Sequence, residues 1–163
     1  AALLQDMGIP LLAKEAPDAY ARVLAARENG RYRLSYLEEQ VFGWTHAQAA
    51  AMMARQWNLP ENFASLIETH SQIDRLIEER SSNMGAVAVA LSSLLPAVLD
   101  VGWSECAKFD QIYGQLRPAD GPSTADLLGV VDREFVTFAP VMKIAAPSKA
   151  LVDSYHEAAA ATA

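Results

Sequence analysis

The chain has 163 residues, 52% of them apolar and 20% charged, with a formal net charge of −7. That length suits one compact domain with a sizeable core, and an acidic balance without a basic stripe argues against a nucleic-acid or anionic-membrane surface. A single cysteine, Cys106, excludes an intramolecular disulfide and a thiolate-rich zinc site.

Apolar residues recur at helical spacing and strand alternation is nearly absent, so an all-α fold is expected. Residues 1–15 carry Leu3, Leu4, Met7, Leu11 and Leu12 on a helix that bends near Gly8 and Pro10. A second helix, 18–27, is stopped by Asn29-Gly30. Ser35-Tyr36-Leu37-Glu38 and Thr45-His46-Ala47-Gln48 each have the pattern of a capping box opening a helix, with Gly43 between them. Pro60 suits the first position of a helix over 60–70.

Residues 84–99 predict a buried helix that Pro96 kinks or shortens, too mixed in composition for a membrane span. Residues 106–116 are helical in pattern, and 117–123 are a loop rich in proline and glycine. Ser123 or Thr124 caps a short helix that ends near Gly129. The next helix, 132–144, sets Phe135, Phe138, Val141 and Met142 on one side, with Pro140 leaving its length open. A last helix over 148–156 runs into a fraying alanine-rich tail. The expected division is one helical domain over 1–146 and a terminal helix with its tail over 147–163.

Residues 1–12 lack a basic leader, so cytoplasmic residence is the expectation. The chain opens inside an apolar helix without a cap, the pattern of the carboxy-terminal portion of a larger helical domain. The preceding part is then expected to pack on Leu3, Leu4 and Met7.

His46, Ala50, Met53 and Trp57 share one helical face, and Phe63, Ile67 and His70 share the next, which predicts burial of both histidines. Small residues Ala47, Ala49, Ala50, Ala51 and Ala54 allow helices to approach closely. Glu38 and Glu39 are expected to meet a helix dipole, and Trp44, Trp57 and Trp103 to anchor a core. Cys106 is expected to be a buried or idle thiol, and His156 to have no partner in its tail.

The order Leu3-Leu4-Gln5-Asp6-Met7-Gly8, a helix with Pro17 and Tyr20, Glu38 before Phe42-Gly43-Trp44-Thr45-His46, then Trp57-Asn58-Leu59-Pro60 and Thr69-His70 resembles the HDOD domain. That family is a regulatory branch of the HD superfamily of metal-dependent phosphohydrolases. The likeness covers about residues 1–74 well and 84–102 loosely, and is densest from Glu38 to Pro60. It implies an HD-superfamily-like helical bundle. In active HD enzymes a histidine–aspartate pair binds metal with histidines from other helices. The resemblance implies that Gln5 replaces the pair's histidine, that Asp6 retains its aspartate, and that His46 and His70 match the later histidines.

A neutral amide is a poor transition-metal ligand beside imidazole, and Ser71-Gln72-Ile73-Asp74 stands where the dinucleotide-hydrolysing branch has Gly-Tyr-Pro. No catalytic residue and no cofactor are therefore assigned. Asp6, His46 and His70 are vestigial candidates for a divalent metal; otherwise the histidines bond to backbone or to Asp6 as core residues. The resemblance implies a non-catalytic regulatory module of a bacterial signalling protein, of the response-regulator output type. Its partner would be a protein, such as a receiver domain in the same full-length chain. The alternative is a phosphohydrolase acting on a nucleotide or cyclic nucleotide.

Overall fold

The computed structural model describes residues 1–80, 82–97, 100–145 and 147–162. It is all-helical, with no strand among the described residues. The chain separates into two compact units, Ala1–Ser93 and Leu94–Ala163. That division falls inside the stretch 1–146 expected to be one domain.

The first unit opens with a short 3-10 turn, Ala2–Leu4, and then runs through α1 (Gly8–Glu15), α2 (Pro17–Ala26), α3 (Leu34–Phe42), α4 (His46–Gln56), α5 (Glu61–Thr69), α6 (Ile73–Glu78) and α7 (Met84–Ser92). The α4–α5 pair is its most extensive packing. Ala50, Ala51 and Ala54 on α4 and Ala64 on α5 are wholly buried in one cluster with Ile67, because a methyl-sized side chain lets two backbones close together. The Thr45 capping box forms: Thr45 N–H donates to Gln48 Oε1 at 2.9 Å, and Gln48 N–H faces Thr45 Oγ1 at 3.4 Å. Asn83 caps α7 through the Ala86 amide.

Several expectations for this unit are corrected. The bend near Gly8 is a break: residues 5–7 form a turn, and α1 starts at Gly8. Ser35 does not cap α3, which starts at Leu34 with extended Arg33 before it. Pro60 is the N-cap of α5, one place earlier than expected. Trp44 and Trp57 are 39% and 59% exposed, so they anchor no core. Trp57 lies past the end of α4, where the helical face that ran through Ala50 no longer applies. The helix expected over 84–99 stops at Ser92, and Val98 and Leu99 lie outside the described residues.

The second unit contains α8 (Cys106–Leu116), α9 (Thr124–Met142) and α10 (Leu151–Thr162). The Ser123–Asp126 capping box opens α9, with Ser123 Oγ donating to Asp126 Oδ2 at 2.6 Å. Two separate helices were expected on either side of Gly129, but α9 passes through it. A glycine inside a helix costs about 1 kcal/mol, too little to stop a well-capped helix of this length. Pro140 falls in the last turn, and Lys143 at φ 55° ends the helix. The side with Phe138, Val141 and Met142 is exposed.

Asp132 of α9 caps α10 by accepting from Leu151 N at 2.8 Å and Val152 N at 3.1 Å. The helix continues to Thr162, past the expected fraying point, and Ala146 and Ala163 lie outside the described residues. Trp103 is buried against Phe109, with its indole N–H donating to Leu94 O at 2.7 Å. Cys106 is buried, and burial pushes its thiol pKa up. No helix among the described residues is long and apolar enough to cross a membrane.

Candidate functional site

Three helix ends in the first unit meet at one point. Asp6 lies in the turn before α1, His46 is the first residue of α4, and His70 follows the last residue of α5. Gly8 makes the meeting possible. A Cβ built at Gly8 would stand 2.3 Å from the carbonyl oxygen of His46, inside any allowed contact. The α1 backbone can therefore lie against the start of α4 only where position 8 has no side chain.

Helix-end chemistry fixes both rings. The first amides of a helix have no internal partner, and the His46 N–H satisfies this by donating to Glu38 Oε2 at 2.8 Å. The same oxygen accepts from His46 Nδ1 at 2.6 Å. The last carbonyls of a helix are likewise open, and Ile67 O accepts from His70 Nδ1 at 2.6 Å. A carbonyl only accepts, so His70 carries its proton on Nδ1 and directs Nε2 inward.

The inward atoms converge. His46 Nε2 and His70 Nε2 are 3.3 Å apart, and Asp6 Oδ1 lies 3.3 Å from the first and 3.5 Å from the second. Both histidines are buried, at 4% and 2% exposure, whereas the Asp6 side chain is 56% exposed and forms the open side. Burial disfavours charge on His46, but its hydrogen bonds to Asp6 and Glu38 outweigh that and raise its pKa to about 9. For Asp6, burial pulls the pKa upward, and the bonds from His46 and His70 overcome it, holding the carboxyl well below the usual carboxylate range.

The three residues singled out from sequence are thus brought together, and both histidines are core residues bonded as the structural alternative expected: His70 to backbone, and both to Asp6. Gln5 is also buried, with its Oε1 3.4 Å from the Ser92 hydroxyl on α7. Glu38 corrects an expectation. It is wholly buried, not a surface acid facing a helix dipole, and its Oε1 accepts from Tyr20 Oη–H at 2.6 Å. Burial first, then the bond to Glu38, raises the Tyr20 pKa. The available signal was an acidic residue on the same face of α3 as Leu34 and Phe42.

Residues 1–73 match the HDOD domain as a family, a stretch that holds Asp6, Glu38, His46 and His70. The chain carries an HDOD domain. Neither a curated protein nor a solved structure matches the chain. The HDOD match spans α1 to α5 and ends at the first residue of α6.

The donor set fits a divalent cation. Two ligands each about 2.0–2.1 Å from zinc at a tetrahedral angle stand about 3.3–3.4 Å apart, close to the 3.3–3.5 Å separations here. Two imidazoles and a carboxylate suit zinc, iron or manganese, and each ring is already held at its other nitrogen.

Proposed function

We propose that the HDOD domain of this chain is a non-catalytic regulatory module of a bacterial signalling protein, working as a response-regulator output. It acts by presenting its helical surface to a protein partner, such as a receiver domain in the same full-length chain, or by sensing a ligand at the Asp6–His46–His70 cluster. The observation that carries this reading is Gln5. A buried neutral amide stands where the family's catalytic relatives need an imidazole, and the neighbouring carboxylate of Glu38 is taken up by Tyr20 and His46.

Among the described residues, the donor cluster reaches three members. That is fewer ligands than two-ion phosphoryl chemistry requires.

The test is hydrolysis of bis(p-nitrophenyl) phosphate and of a cyclic dinucleotide, with manganese or iron supplied. Wild type and a His46→Gln/His70→Gln double variant are expected to give the same background rate. A wild-type rate tenfold or more above the double variant overturns the reading.

The fit of the donor set to a cation favours a second reading, a metal-dependent phosphohydrolase acting on a nucleotide or cyclic nucleotide. Asp6, His46 and His70 would hold the ion, which would supply Lewis acidity and an activated water. Near-stoichiometric metal in protein purified without chelators, together with turnover lost in the double variant, is what that reading requires.

A further inference from the structure

We infer that Glu38, held in turn by Tyr20, is the positioning residue of this site: it fixes the ring of His46 so that Nε2 faces Asp6 and His70. This deepens the metal reading and rests on the Asp6–His46–His70 cluster being the part of the domain that binds a ligand.

Three donors converge on this one carboxylate. Oε2 accepts both the backbone N–H and the ring Nδ1–H of His46, at 2.8 and 2.6 Å, and Oε1 accepts the Tyr20 hydroxyl at 2.6 Å. The backbone amide cannot turn round, so the atom facing it must be an acceptor. That requirement passes to the ring, because the same oxygen serves both groups. Nδ1 must then carry a proton, and the other nitrogen points away from Glu38 toward the cluster.

Tyr20 comes from α2, Glu38 from α3 and His46 from α4, so three helices fix one imidazole. All three side chains are buried. A carboxylate needed only to satisfy an orphan helix amide would meet that need with one oxygen. Here both oxygens are engaged and the ring is included. Outer partners of this type orient ligating histidines and raise their basicity, and losing one costs about 10–100-fold in metal affinity.

Two variants separate positioning from stability. Glu38→Gln keeps an acceptor toward His46, because its amide oxygen must face the backbone N–H and its NH2 can donate to the Tyr20 oxygen. Glu38→Met removes the acceptor at similar size. The ring nitrogens of His46 are read by long-range 1H–15N correlation in the metal-free protein, and cobalt affinity by its visible absorption.

In wild type, a strongly downfield Nδ1–H proton is expected. It moves upfield but persists in Glu38→Gln, and gives way to mixed tautomers in Glu38→Met, where cobalt binding weakens about tenfold or more. His46 ring signals in Glu38→Gln identical to wild type would overturn the inference, and that variant decides alone if Glu38→Met does not fold. If cobalt fails to bind wild type while the His46 signals still follow Glu38, the metal reading fails and the positioning role stands. If cobalt binds wild type and the signals ignore Glu38, the positioning role fails and the metal reading stands.

Discussion

Gly8→Ala is the sharpest perturbation of the geometry that assembles this site. The added Cβ would sit 2.3 Å from His46 O, whereas a close carbon–oxygen contact is about 3.3 Å. The α1 and α4 backbones must therefore separate by about 1 Å. The obstacle is a backbone carbonyl at the start of a helix and cannot rotate aside as a side chain would. Overpacking of this kind costs about 1–3 kcal/mol, and the upper end applies because two helices must move. Alanine regains part of the roughly 1 kcal/mol that glycine costs inside a helix, but only part, because position 8 is the first residue of α1. The net expectation is a loss of about 2 kcal/mol in urea unfolding of the full chain. The same displacement moves Asp6 away from His46, which it meets at 3.3 Å. The His46 pKa should therefore fall from about 9 toward its ordinary 6.5, as followed by NMR. An unfolding curve that overlays wild type, with an unchanged His46 titration, would refute the close-approach argument.

Three further predictions follow from the same contacts. His46 has its pKa raised on folding from 6.5 to about 9, so its stabilisation is complete below about pH 6.5 and disappears as the pH rises through 9. The lowered Asp6 pKa works in the opposite sense, stabilising above about pH 4 and failing in acid. Urea unfolding should thus show a plateau between about pH 4 and 6.5 and then a decline of at most about 3 kcal/mol, reduced by solvent screening at half-exposed Asp6. His46→Gln should flatten the alkaline limb, and a slope unchanged in that variant would exclude His46 as its source. Cobalt bound at the cluster must displace the His46 Nε2 proton, so its dissociation constant should fall about tenfold per pH unit between 6.5 and 8.5, where a flat profile would remove His46 from the ligand set. Asp132→Ala should free the Leu151 and Val152 amides at the start of α10 at a cost of about 1–2 kcal/mol, with loss of their hydrogen-exchange protection; protection equal to wild type would show that the cap contributes nothing.

Local chemistry made part of this structure readable. Thr45 and Gln48 act within four residues, and their capping box forms where the sequence places it; Ser123, one of the two cap candidates, opens α9, and the helical pattern over 106–116 forms α8. The sequence also brought Asp6, His46 and His70 forward as a group, through family likeness and through the apolar faces of α4 and α5. Where it failed, the deciding contact was distant or the local signal was outweighed. Gly129 has the composition of a stop, yet its penalty is small beside the capping and packing of α9. Trp57 has the composition of a core anchor, but α4 ends before it.

Glu38 is the most instructive case. Ser35 and Glu38 match a capping box residue for residue, and nothing within that helix turn distinguishes a cap from a buried acid. The distinction lies in Tyr20, 18 residues earlier, and in the His46 amide, 8 residues later, which together surround the carboxylate with donors. An ionisable group takes its role from the donors that desolvate and pair it, and those come from other helices. A glutamate sharing a helix face with Leu34 and Phe42 was the one sequence sign of such an environment. An acid on an apolar face signals burial with a partner more strongly than it signals a cap, and here the partner is the histidine of the candidate site.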